Sequence, residues 1–515
     1  MTKMKLKDLE RSSNKNLYLL ALSALVGIAA GLLASLYRLA LKYAEAISIS
    51  FYHHVARHLT LLVILFPILA IIAYLVTWLM KRYPMISGSG IPQVKGQLQG
   101  YLKPNWFTTA FAKFVGGTLT MLAGLSLGRE GPSIQLGSSM GQAVAQKFAQ
   151  TERHRRILIA SGASAGLSAA FNAPLSGVMF VIEEVFKYFS PLILLTCMTS
   201  AIVADGVSRL IFGDGAVFHF NIISAIPLKD YPILLILGVI LGGFGAVYNW
   251  SLLKGQHWFK KIQLPYFRIL LAFLATGMMA LIFPLAIGSG HILIEKFNFG
   301  QSLSFLCLLF IAKFLISTIS YSSGAPGGIF FPLLVLGASL GAIFATFVIL
   351  TFHLPSTLFA NFIILSMAGT FTAIVRAPMT GILLLVEMTG SFSHLLPLAL
   401  VSLVAYIVAD LLKSEPIYDS LLANLLATNA LNQEKSYQNM VFETIVQFDS
   451  VANLKTLSQL TLPEGCLLVS IHRLGKDMIP NGNTQLLAGD YLTFMINQDD
   501  EGDTREAIRQ ILSEP

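Results

Sequence analysis

The sequence predicts an all-α polytopic membrane body built from two homologous halves, followed by a small α+β domain. Three observations predict it. Of 515 residues, 55% are hydrophobic and only 12% charged, whereas roughly a quarter of an average soluble chain is charged. Residues 88–141 return without a gap as residues 288–341. After about residue 424 the apolar character stops, and a polar stretch at 429–438 leads into short alternating runs.

Taken in order, residues 1–16 form a charged lead carrying Lys3, Lys5, Lys7, Arg11 and Lys15. By the positive-inside rule this end is expected in the cytoplasm, and the C-terminal domain is expected on the same side. Runs at 17–36, 59–80, 231–247 and 395–412 read as membrane spans. Other apolar segments are shorter or broken by glycine, and more than ten helices are expected. The first run lacks a small-residue cleavage site before a soluble domain, so a retained helix is expected rather than a signal peptide. His53, His54 and His58 have no carboxylate or cysteine beside them and read as an interfacial loop, not a metal site. Basic clusters at 151–156 and 254–261 are further candidate cytoplasmic loops. The net charge of +8 thus reports topology and anionic lipid, not nucleic acid. Cys197, Cys307 and Cys466 are isolated, with neither metal spacing nor a paired framework. No cofactor is expected.

In the repeat, Gly88-Ser89-Gly90 returns as Gly288-Ser289-Gly290 and Ala112-Lys113-Phe114 as Ala312-Lys313-Phe314. Gly128, Pro132, Gly137, Ser139 and Gly141 return as Gly328, Pro332, Gly337, Ser339 and Gly341. With a slightly different offset, Ala173-Pro174-Leu175-Ser176-Gly177 and Glu183 parallel Ala377-Pro378-Met379-Thr380-Gly381 and Glu387. The halves span roughly 59–213 and 266–413, and the residues alone leave open whether they are parallel or inverted.

Glycine-interrupted segments at matching positions of two membrane halves point to a binding site at their interface. Each such segment can start a helix inside the membrane, where up to four amides are unpaired and the end carries about half a positive charge. Gly88, Gly90, Gly128, Gly131 and Gly328 let a ligand approach that backbone, and proline fits the first helical turn. Converging helix ends bind an anion without a full positive charge that would trap it. Gly137 and Gly141, four apart, instead read as helix-packing positions.

The copies differ in their acids. Gly128-Arg129-Glu130-Gly131-Pro132 carries a glutamate where Gly328-Ile329-Phe330-Phe331-Pro332 has Phe330. Ionised, Glu130 can occupy an anion site; protonated, it has no reason to stay. The plainer reading is a cap paired with Arg129, but the Phe330 copy does without one. Glu183 matches Glu387 and is expected to hold a lysine or a helix end in both halves. Glu184 aligns with Met388, and an unmatched acid suits proton handling better. Lys113 and Lys313 occur in both halves, favouring a structural or electrostatic role.

Together, Gly88-Ser89-Gly90-Ile91-Pro92, Gly128-Arg129-Glu130-Gly131-Pro132, Gly327-Gly328-Ile329-Phe330-Phe331-Pro332 and the late Tyr418 resemble the CLC chloride channels and transporters. The likeness covers residues 17–424. It implies a homodimer whose subunits each have a pore, made of two inverted halves with broken, re-entrant helices. Carried over by position, Ser89 and Tyr418 offer hydroxyls to the central anion, beside the amides of Ile329 and Phe330. Glu130 becomes the external gating glutamate and Glu184 the internal proton glutamate that separates exchangers from channels. Ser89 is similar to chloride-preferring members, where proline would suggest nitrate. One departure is Gln93-Val94-Lys95, where some bacterial members carry acids. The resemblance favours proton-coupled chloride antiport, with a passive voltage- or ligand-gated chloride channel as the alternative.

Residues 425–438 read as a linker and 439–515 as a β-α-β-β-α module. Strands are expected at 443–448, 466–473 and 490–496, helices at 450–460 (Ser450 as cap) and 504–512, and a turn at 480–483. Leu462-Pro463, Ile471-His472-Arg473, Pro480-Asn481-Gly482-Asn483-Thr484 and Gly489-Asp490 resemble an RCK C-terminal (TrkA-C) domain rather than a CBS pair. That resemblance implies dimerisation and a small ligand such as cyclic di-AMP; a tail that only stabilises a dimer is the alternative. A cation transporter would need a Thr-Val-Gly-Tyr-Gly filter or acid-rich mid-membrane sites, and neither is evident. An enzyme is disfavoured because no P-loop, His-Glu-x-x-His or Ser/His/Asp signature is present.

Overall fold

Apolar chain in a bilayer must satisfy its own backbone, which for separate segments means helices. The computed structural model describes residues 2–215, 217–218, 226–392, 394–429, 439–473, 476–497 and 501–512. Eight of its helices are long and apolar enough to cross a membrane. The chain divides into two compact units: residues 1–94, 104–148 and 157–422, and residues 95–103, 149–156 and 423–515.

The order begins with α1 (Thr2–Arg57), α2 (Leu62–Arg82), α3 (Ile91–Gln99), α4 (Trp106–Leu122), α5 (Glu130–Phe148), α6 (Glu152–Phe171) and α7 (Pro174–Phe180). A π-helical turn, Val181–Phe186, continues α7. Next come α8 (Pro191–Phe212), α9 (Tyr231–Lys260), α10 (Pro265–Ile282), α11 (His291–Lys296) and α12 (Leu303–Ser322). The body closes with α13 (Phe330–Phe352), α14 (Phe359–Val375), α15 (Pro378–Thr389), α16 (Leu395–Leu411) and α17 (Ile417–Asn429). The α4–α8 series thus recurs as α12–α16.

Packing follows composition. The segment Ser356–Val375, which contains α14, is apolar all round and 94% buried over its most hydrophobic window, as a helix inside a membrane bundle should be. By contrast, α2 turns Val63, Ile71 and Trp78 outward, an apolar face suited to lipid. Small residues set the closest approaches: a Cβ on Gly137 would strike the Gly162 carbonyl, and one on Gly141 the Leu158 carbonyl. The packing role expected for Gly137 and Gly141 is what α5 and α6 use.

Three sequence expectations change here. The lead 1–16 is not separate, because α1 runs unbroken from Thr2 to Arg57. His53 and His54 therefore sit on its last turns, with the His54 and His58 rings 5.0 Å apart. The expected linker begins late: α17 continues to Asn429, and residues 430–438 lie outside the described residues.

In the second unit, β1 (Asn439–Ile445), β2 (Leu467–Arg473), β3 (Lys476–Met478) and β4 (Tyr491–Asn497) form an antiparallel sheet of order β1-β4-β2-β3. Helix α18 (Glu501–Leu512) supplies Ile508 and Leu512 to a core with Phe442, Leu468, Ile471 and Phe494. The strand expected at 443–448 starts four residues earlier, and β3 was not anticipated. The helix expected at 450–460 does not form. Leu454 takes a left-handed φ of 65°, and the segment spends its amides on a neighbour: Leu454 N donates to Leu486 O and Leu457 N to Thr484 O. Only the turn Leu457–Gln459 remains, closed by a capping box between Thr456 and Gln459. Also inside this unit, Arg153 pairs with Glu443 at 2.9 Å, and Tyr101 covers Gly502 so closely that a Cβ there would enter the ring.

Candidate functional site

The two halves clasp each other through equivalent glycines. Gly88 N donates to Gly324 O at 3.1 Å, and Gly288 N to Gly124 O at 3.0 Å. Gly128 and Gly328 exchange both backbone hydrogen bonds, at 2.6 and 2.8 Å, as an antiparallel pair. Pairing a residue antiparallel with its own repeat counterpart is what a two-fold axis between inverted halves produces.

The clasp sets the N-terminus of α5, at Glu130, beside that of α13, at Phe330. A Cβ on Gly128 would meet Glu130 Oε2 and lie 3.0 Å from Phe331 N; one on Gly131 would lie 2.7 Å from Ser89 O and 3.0 Å from Ser89 Oγ. Glycine is needed at both positions for this proximity. Gly88 and Gly90 are needed for another reason, their φ of +63° and +99°. Ser89, Arg129, Glu130 and the first turns of α5 and α13, with Ile329 and Phe330, are therefore neighbours.

Each group has a defined setting. Ser89 Oγ accepts from Ile91 N at 3.1 Å. The Tyr321 hydroxyl faces the Ser89 amide and hydroxyl. Tyr418 is buried, its hydroxyl has no partner among the described residues, and it lies within electrostatic reach of Tyr321, Glu184 and Glu130. The ring of Phe180 meets Tyr418 edge-on at 6.4 Å. The Glu130 carboxylate is buried, 4.0 Å from Arg129 Nε. Amides of Arg129, Glu130 and Phe331 face it, although neither oxygen has a hydrogen bond of good geometry. Glu184 is buried on the π-helical turn. Tyr418 is thus within electrostatic reach of two buried glutamates.

The adjacent acid behaves differently. Glu183 accepts from Met379 N at 3.1 Å and from Thr380 N and Oγ1 at 2.8 Å each, while Glu387 accepts from Leu175 N and Ser176 N at 2.9 Å each. Each half caps the other's proline-started helix, so the helix-end option holds. The lysines are equally symmetric: Lys113 Nζ donates to Ile86 O and Gly88 O, and Lys313 Nζ to Ala286 O and Gly288 O. They fix the carbonyl two residues before each Gly-Ser-Gly and that of its first glycine. At the departure noted at Gln93, its amide donates to Ser87 O at 2.7 Å.

The second Gly-Ser-Gly copy is filled. Ser289 N and Oγ donate to Glu45 Oε1 at 2.7 and 2.8 Å, from a carboxylate on α1. The same kind of loop that leaves Ser89 facing Tyr321 holds a carboxylate at Ser289.

Residues 72–410 match the model of the voltage gated chloride channel family, and residues 441–509 that of the TrkA-C domain. The chain belongs to the voltage gated chloride channel family. Among similar proteins, the H+/Cl− exchange transporter ClcA of Klebsiella pneumoniae is 36% identical over 440 residues, covering 82% of this chain and 92% of that one. A solved slow cyanobacterial Cl−/H+ antiporter superposes with TM-score 0.74 at 34% identity, covering 80% of this chain and 99% of its own. A CLC-type fluoride/proton antiporter gives 0.65 at 25% identity, over 78% and 96%. The chain is thus a multi-pass membrane protein of the CLC fold with a TrkA-C tail. Two residues at this CLC site escaped sequence reading. Tyr321 stands where the first half has Met121, a mismatch the repeat alignment could have flagged. Glu45 lies before the repeat begins, and nothing local marks it.

Proposed function

We propose that this chain exchanges chloride for protons across the cell membrane, with both termini cytoplasmic. The observation that carries the reading is the junction of two helix N-termini from opposite halves, where Ser89 and buried Glu130 are neighbours and the Tyr418 hydroxyl, without a hydrogen-bond partner among the described residues, lies within electrostatic reach of Glu130. Chloride takes the Ser89 and Tyr418 hydroxyls and the first amides of α13, at Ile329 and Phe330, which a helix start leaves unpaired. Glu130, when ionised, competes as an anion for the amides that face it; when protonated, it loses that attraction and swings away. Glu184, buried within electrostatic reach of Tyr418, passes protons to the opposite side. Gly88, Gly90, Gly128, Arg129, Gly131 and Gly328 support the helix ends. The antiport named for ClcA and for the cyanobacterial relative supports the same assignment.

The test is the reversal potential of purified protein in liposomes under an imposed pH gradient. Exchange predicts a potential that moves with pH, whereas a passive channel gives the chloride potential alone. In the same assay Glu130→Gln is expected to lose proton movement while chloride flux continues. Proton coupling that survives this change would remove Glu130 from its role.

The functional unit in this reading is a homodimer, and the TrkA-C tail gates transport on binding a cytosolic nucleotide such as cyclic di-AMP. Equilibrium binding of cyclic di-AMP to the full-length protein tests the ligand: saturable binding supports it, and its absence removes nucleotide gating from the proposal.

A further inference from the structure

Two copies of one cradle exist in the membrane body, and they differ in occupancy rather than build. In both, a buried lysine grips the carbonyls of residues 86 and 88 or 286 and 288. The serine hydroxyl accepts an amide two residues on, Ile91 N at 3.1 Å or His291 N at 3.3 Å. The leading glycine donates to the other half, and both flanking glycines take positive φ. Around the second copy, Lys313 and Arg129 are both within electrostatic reach of Glu45. A Cβ on Gly290 would lie 3.1 Å from Lys313 Nζ, and one on Gly288 2.5 Å from Glu45 Oε1, so ammonium and carboxylate share this pocket.

We propose that Glu45 is a resident anion: its carboxylate occupies the second copy of the cradle, closes it to mobile chloride, and supplies the counter-charge for Lys313 and Arg129. The hydrogen bonds carry this assignment. Ser289 N and Oγ donate to Oε1 at 2.7 and 2.8 Å, and Ser289 Oγ lies 3.1 Å from Oε2. A buried ammonium needs a compensating charge, because desolvation otherwise disfavours it strongly. In the first copy, among the described residues, no carboxylate is hydrogen-bonded to Ser89, and a transported anion can take that place. The inference rests on the reading of the Ser89 copy as a chloride site.

Full-length Glu45→Ala crystallised in bromide provides the test. Anomalous density is expected at Ser289 as well as at Ser89. Bromide at Ser89 but not at Ser289 overturns this inference and leaves the chloride reading standing; bromide at neither overturns both. Should Glu45→Ala fail to fold, Glu45→Ser, which withdraws the side chain from the cradle, gives a second measurement. Chloride is expected to raise its thermal midpoint more than that of the wild type, since an added site adds mass-action stabilisation. Glu45→Gln, whose amide oxygen still fills the cradle, should respond to chloride less than Glu45→Ser, and Ser289→Ala in the Glu45→Ser background should remove the extra chloride response. A chloride response equal to that of the wild type overturns the proposal, because a carboxylate that only packed would leave nothing for chloride to replace.

Discussion

Two adjacent glutamates with opposite fates show how far a single residue can be read. Glu183 repeats as Glu387 and each caps a helix of the other half; Glu184 repeats as Met388 and stays buried within reach of Tyr418. Glu387→Gln is therefore expected to weaken an end contact by about 1–2 kcal/mol, seen as a lower thermal midpoint, with the proton-to-chloride ratio unchanged. Glu184→Gln is expected to do the reverse, sparing stability while proton flux falls at least tenfold and chloride flux persists. A shifted ratio in the Glu387 variant would mean that capping and coupling are one device. In the tail, burial pushes the Cys466 thiol up to about 11. The reactive thiolate is the minor form below that value, so alkylation of Cys466 should be slow at pH 7–8 and accelerate steadily toward pH 11. Fast labelling at neutral pH would show the site open. Glu130 and Glu184 were legible because a repeat supplies its own control at Phe330 and Met388. Tyr321 and Glu45 were not, since each acts on a serine more than two hundred residues away and neither belongs to a motif.

Helices were easier to find than the contacts that hold them. Continuous apolar character marked the spans, and the four-residue spacing of Gly137 and Gly141 marked a packed face. The partner face, Gly162 and Gly166 on α6, follows only from the structure: a Cβ on Gly162 would strike the Gly137 carbonyl, and one on Gly166 the Ser133 carbonyl. The obstacles are helix backbone, which cannot swing aside as a side chain can. Gly162→Leu is expected to cost roughly 3 kcal/mol or more by overpacking, measured as a drop in the detergent-resistant thermal midpoint and in yield of folded protein. An unchanged midpoint would show that α5 and α6 can part without penalty. In the tail, local pattern misled where the helix expected at 450–460 gives way to pairing with residues 484–486, a long-range choice that helical spacing cannot reveal. Also in the tail, Arg473 donates to both oxygens of the buried Asp490, which holds the guanidinium above its ordinary range. Arg473→Ala leaves the buried Asp490 carboxylate with Leu487 N as a donor, a loss of about 1–3 kcal/mol that should speed cleavage of the tail in limited proteolysis.

At the scale of the whole molecule, duplication explains where transport can happen. The residues at 88–141 and 288–341 announced two halves and the family resemblance implied their inversion, which the antiparallel Gly128–Gly328 pair makes visible in atomic terms. Every group assigned to transport, from Ser89 to Tyr418, belongs to the first compact unit. The tail belongs to the second, with residues 95–103, where Tyr101 covers Gly502, and residues 149–156, where Arg153 meets Glu443. Helix α3 starts just after Ser89 and Gly90 and ends just before Tyr101, so it connects the cradle to the segment the tail holds. A chain ending at residue 429 is accordingly expected to keep the proton-to-chloride stoichiometry of the full protein while its turnover changes. Tyr101→Ala in the full-length chain should reproduce that change in turnover, because it removes the same cover from the same segment. Stoichiometry comes from reversal potentials and turnover from chloride efflux, so the two readouts separate cleanly. If the truncated chain instead loses coupling, proton transfer involves the tail itself. If Tyr101→Ala leaves turnover untouched while truncation alters it, the influence of the tail runs through Arg153 and the start of α6 rather than through α3.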